Sequence, residues 1–88
     1  MEMSSVDKIL VEIILPAAND KYDIYIPRRS KVYEVIELLG EVLSDLSNGF
    51  FIKTSDMILY NANTMQILDI NSSIRDLNLL NGSRLILI

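Results

Sequence analysis

Residues 30–48, SKVYEVIELLGEVLSDLSN, carry apolar side chains at Val32, Val35, Ile36, Leu39, Val42, Leu43 and Leu46. Steps of three and four lay these on one stripe of a 3.6-residue helix, with Lys31, Glu34, Glu37, Glu41 and Asp45 mostly on the wet side. Ser30 is placed to cap the start, Glu34 adds favourable charge there, and Asn48-Gly49 supplies a left-handed exit. Gly40 costs about 1 kcal/mol relative to alanine in mid-helix, which close approach to a strand would explain.

On either side the period changes from 3.6 to 2. Lys8–Leu15, KILVEIIL, reads as a strand. If Glu12 points outward, Lys8, Leu10 and Ile14 share its face and Ile9, Val11, Ile13 and Leu15 enter the core. Pro16 and the turn-forming AAND end that strand, and residues 21–26 alternate Tyr22, Ile24 and Ile26 against Asp23 and Tyr25 before Pro27. Beyond the helix, Phe50, Phe51 and Ile52 form a connector whose aromatics plug the core. Residues 57–60 are a short strand, 61–64 a turn, 65–68 a returning strand, and 73–77 one capped helical turn. Asn81-Gly82 turns the chain into a last strand over 84–88.

The expected order is ββαββ(3₁₀)β. It implies an α+β fold in which one long helix crosses a mixed sheet of four to five strands. A length of 88 residues supports one core. The domain is expected over residues 8–88, with 1–7 as a flexible polar tail.

Composition narrows the chemistry. The chain has no cysteine and no histidine, which removes disulfides, thiolate nucleophiles and the imidazole base. A net charge of −4 argues against a general affinity for nucleic acid. MEMSSVDK is not expected to act as a signal peptide, having no apolar run and no basic start, and no stretch approaches the ~20 apolar residues of a membrane span. A cytoplasmic protein without membrane insertion is expected.

The opening hairpin KILVEIIL…YDIYIP, the helix start PRRSKVYEVIELL, the MILY strand and the closing SIRDLNLLNGSRLILI together resemble the β-grasp fold of ubiquitin-like proteins. In size and acidity the chain is similar to the small bacterial YukD/EsaB-type proteins of type VII secretion loci. The resemblance implies partner binding without catalysis. One departure matters. Conjugated modifiers and sulfur carriers of this superfamily use a flexible Gly-Gly tail, whereas Arg84-Leu85-Ile86-Leu87-Ile88 is apolar and β-branched. A non-conjugated protein is therefore expected.

With Leu85 and Leu87 in the core, as the resemblance implies, Ile86 and Ile88 point outward. Leu59 does the same if Ile58 goes in. Leu59, Ile86 and Ile88, with Leu10 and Ile14 at one side, then form a protein-docking patch. If one register is inverted, these residues are core instead. Arg28, Arg29 and Lys31 at the helix start could receive a phosphate or an acidic segment, or simply be a solvated loop. Asp20, Asp23, Asp69 and Asp76 are too scattered for a calcium loop or a carboxylate pair. Ser72 and Ser73 lack a partnering base. No cofactor and no metal is expected.

The function expected is that of a non-enzymatic protein-binding adaptor, an accessory component of a type VII secretion system. The alternative is a self-associating β-grasp module, a homodimer or a subunit of a larger assembly.

Overall fold

The computed structural model describes residues 7–49, 51 and 53–88. The elements are β1 (Lys8–Leu15), a 3₁₀ turn (Pro16–Ala18), β2 (Asp20–Pro27), α1 (Val32–Leu46), β3 (Leu59–Asn61), a second 3₁₀ turn (Arg75–Leu77) and β4 (Arg84–Leu87). They build a four-stranded sheet in the order β2-β1-β4-β3. The β1/β2 hairpin and the β3/β4 pair are antiparallel, while β1 and β4 run parallel at its centre. The mixed sheet and the single long helix are those the sequence implied.

The phase set by Glu12 is the one found. Ile9, Val11, Ile13 and Leu15 are buried, and they join Leu85 and Leu87 of β4 and Val32, Val35, Leu39 and Leu43 of α1 in one core. Phe51 closes that core at 4% exposure, and Ile74, next to the second 3₁₀ turn, is fully buried. Phe50 and Ile52 of the expected connector lie outside the described residues, as do residues 1–6. Asp7, assigned by sequence to the tail, is part of the fold: its carbonyl accepts from the Arg28 amide at 3.1 Å.

The helix ends differ from expectation in detail. The residue at the N-cap is Lys31, not Ser30. Glu34 Oε1 accepts from the Lys31 amide at 2.9 Å, so the carboxylate reaches back to the cap residue. The Ser30 carbonyl instead accepts from the Ile74 amide at 3.0 Å, which ties the helix start to the second 3₁₀ turn. At the other end Asn48 and Gly49 both adopt positive φ, at 55° and 84°. Leu46, placed on the apolar stripe by its spacing, is 51% exposed because it sits at the last position of α1.

Gly40 makes its close approach to a side chain, not a strand. A methyl group there would sit 2.8 Å from Cγ and Cδ of Lys53. Lys53 is hydrogen-bonded to Glu37, and that bond, followed by the nearby Glu37 and Glu41 charges, holds its ammonium above the usual 10.5, with desolvation opposing. Gly40→Ala should displace the flexible Lys53 stem while gaining about 1 kcal/mol of helix propensity. The expected net change is below ~1 kcal/mol in a denaturant melt, with the Lys53 pKa returning toward its ordinary value by NMR titration.

The returning strand expected over residues 65–68 does not form. Only a single bridge joins Tyr60 to Ile67, because Met65 takes a left-handed φ of 59° and breaks the extended run.

Candidate protein-binding face of the sheet

The sheet face turned away from α1 is read from the register. Ile14 lies beside Ile86, Ile86 beside Tyr60, and Tyr60 bridges to Ile67. Side chains opposite one another on one face of a sheet touch, so these four form an apolar row across β1, β4, β3 and the segment after it. A second pair extends it. Ile58 and Ile88 exchange both backbone hydrogen bonds, at 2.6 and 3.0 Å, and are 36% and 51% exposed. Ile67 is 59% exposed. Residues 84–88 are thus bonded into the sheet.

The neighbouring row is charged, with Arg84 Nε donating to Glu12 Oε2 at 3.1 Å. Lys21, opposite Ile14 at the end of the apolar row, places its Nζ 4.0 Å from Glu12 Oε1. These charges border the apolar row. They can orient an incoming surface, while the desolvated apolar centre supplies affinity.

Of the five residues proposed by sequence, Ile14, Ile86 and Ile88 come together on this face. Leu10 also points outward, but Glu12 and its ion pairs separate it from Ile14, and its partner across the hairpin is Tyr25. Leu59 is a correction. It is 1% exposed, paired with Leu87 in the core, and Ile58 takes the outward position.

Asn61 shares the inward parity of Leu59, yet it is tolerated at the end of β3. Its side chain is satisfied by the turn that follows, accepting from the amides of Asn63 at 2.9 Å and Thr64 at 3.4 Å. Ile58 and Tyr60 were missed because every residue of MILY is apolar and its phase cannot be read without its neighbours; Ile67 was missed because it lies in the 65–68 segment, whose bridge to Tyr60 only the fold brings about.

No family model matches the sequence, and no curated protein matches it. Solved structures do. The EccD5 ubiquitin-like domain from Mycobacterium xenopi superposes with a TM-score of 0.76 at 16% identity, over 92% of each chain. This chain has the ubiquitin-like β-grasp fold.

A second similar structure is the ubiquitin-like domain of the Mycobacterium tuberculosis type VII secretion system protein ECCD1. Its TM-score is 0.62 at 19% identity, over 92% of this chain and 97% of that one. A toluene 4-monooxygenase complex contributes a third, with a TM-score of 0.76 at only 8% identity over 91% and 95%. A β-grasp scaffold is therefore shared by proteins of different chemistry, and function must be argued from the surface.

Two further features of this β-grasp domain bear on chemistry. A cavity of about 230 Å³ opens beside α1, lined by Tyr33, Ile36, Glu37, Lys53, Met57 and Ile70 among others. It is smaller than the ~300–1,000 Å³ of ordinary ligand pockets. Among the described residues, no group of three or more acidic, cysteine or histidine side chains is placed to hold a metal ion. No helix among them is long and apolar enough to cross a membrane.

Proposed function

We propose that this chain is a non-enzymatic ubiquitin-like binding module that recognises another protein through the outer face of its sheet. The single observation behind this reading is the contiguous row Ile14, Ile86, Tyr60 and Ile67, extended by Ile58 and Ile88 and bordered by the Lys21, Glu12, Arg84 charges. Burying such a row against a partner removes apolar surface from water at about 25 cal/mol per Å². The contact needs no covalent attachment, consistent with residues 84–88 being bonded into the sheet. The setting we propose is bacterial and cytoplasmic, as an accessory to type VII secretion, and it rests on the likeness to the two EccD domains.

The test is amide chemical-shift mapping with purified components of a type VII secretion locus. Shifts should concentrate at Ile14, Ile58, Tyr60, Ile67, Ile86 and Ile88. Shifts confined to the helix face would sink the reading.

Self-association through the sheet edge is less favoured. The register and the bonds from β1 to the β4 side leave the backbone groups of Lys21, Asp23, Tyr25 and Pro27 facing out from β2. There the Lys21 amide is engaged by the Asp20 carboxylate at 2.8 Å, Pro27 has no N–H, and Asp23 would be brought toward another acidic edge. Charged, proline-ended edges resist pairing with a second copy. Light scattering should therefore give a monomer mass that does not rise with protein concentration.

A further inference from the structure

We propose that Arg28, Arg29 and Arg75 form a second binding site, for a phosphoryl oxyanion presented in solution. The site lies at the opposite end of β1 from the apolar row. Asp7 and Ile14 are seven residues apart on an extended chain, or about 23 Å.

Three guanidinium groups from two distant segments converge on one carboxylate. Arg28 Nη1 is 3.2 Å from Asp7 Oδ1, while Arg29 Nε and Arg75 Nη2 are 3.3 and 3.5 Å from Oδ2. The backbone holds them in place. Arg28 donates its amide to the Asp7 carbonyl at 3.1 Å, and Arg75 donates its amide to the Arg28 carbonyl at 2.9 Å. The backbones of Asp7, Arg28 and Arg75 are thus brought together by the fold.

Two features remain unaccounted for by a purely structural role. First, among the described residues three positive charges meet one negative charge, on a chain whose net charge is −4. Like charges held this close repel, and a single carboxylate neutralises only one of them. Second, Arg28 Nε is buried and has no hydrogen-bond partner among the described residues. Leaving a buried donor unpaired costs about 1–3 kcal/mol.

A ligand that answers the excess positive charge must carry about two negative charges and several acceptor oxygens, which describes a phosphoryl group better than a carboxylate. It has donors to meet. Each guanidinium offers five N–H groups in a fixed fork, of which Arg28 and Arg75 each donate one to Asp7. The Arg29 and Arg75 side chains are 70% and 52% exposed, so their other donors are reachable from solvent. Asp7 serves as the positioning residue that keeps the three forks together before the anion arrives.

The inference is independent of the docking face. Its test is a ¹H–¹⁵N NMR titration of the full chain with inorganic pyrophosphate at constant ionic strength, with sodium chloride as the reference. A saturable shift of the Arg28 Nε–H resonance is expected, with half-saturation at about 1 mM or below. Arg29→Gln and Arg75→Gln, both at exposed positions that leave folding intact, should each weaken it by about tenfold. A drift identical to that with chloride would overturn the proposal. So would unchanged affinity in both variants, or binding to phosphoinositide-containing vesicles without binding to pyrophosphate.

Discussion

Leu59→Asp should abolish cooperative folding, while Ile58→Asp one residue earlier should leave a stable domain. This contrast is the largest stability effect expected from single changes in β3. Leu59 is 1% exposed and faces the core beside Leu87. A carboxylate there loses the leucine's burial and must be desolvated without a partner, at a combined cost above about 4 kcal/mol. Small domains hold roughly 5–15 kcal/mol in all, and one of 88 residues sits toward the lower end. Ile58 is 36% exposed on the other face, and its backbone bonds to Ile88 do not depend on its side chain. Ile58→Asp should cost below ~1 kcal/mol. Urea denaturation followed by circular dichroism distinguishes the two, and a Leu59→Asp protein that melts like wild type would place the wrong face inward.

The docking face is the second large effect. In Ile67→Asp with Ile88→Asp, affinity for the partner should fall at least ~100-fold, equivalent to about 2.7 kcal/mol, with the melting temperature nearly unchanged. Both side chains are more than half exposed, at 59% and 51%, so charge is tolerated in the free protein. In the complex the same charges would be buried without partners, and that difference is what calorimetry reads. A change in affinity within threefold would remove this face from recognition. The wild-type contact itself should weaken little with salt, because its apolar row carries no charge and only the Lys21, Glu12, Arg84 margin is screened.

Leu10 marks the boundary of that surface. It shares the outward parity of Ile14, yet the Glu12 ion pairs stand between them. Leu10→Asp is therefore a useful companion to the double variant. Parity along a strand selects the face but does not make a patch, since contiguity depends on which residues of neighbouring strands come alongside.

The sequence by itself determined the helix, the hairpin before it and the inward faces of β1 and β4. Glu12 set the phase in KILVEIIL and the 3.6-residue period set that of α1, while for β4, whose Leu85-Ile86-Leu87-Ile88 run is apolar on both faces, the phase came from the resemblance to ubiquitin-like proteins. The sequence also identified Gly49 and Asn81-Gly82 as turns, because positive φ at Gly49 and Gly82 is a local demand. Tertiary structure alone decided the phase of β3, the failure of residues 65–68 to become a strand, and the convergence of Arg75 on Asp7. The first and the last have a physical reason in long-range contact. A run such as MILY is apolar on both faces, so only pairing with Leu87 and Ile86 chooses between them. Arg75 and Asp7, 68 residues apart, can meet only after the sheet has closed.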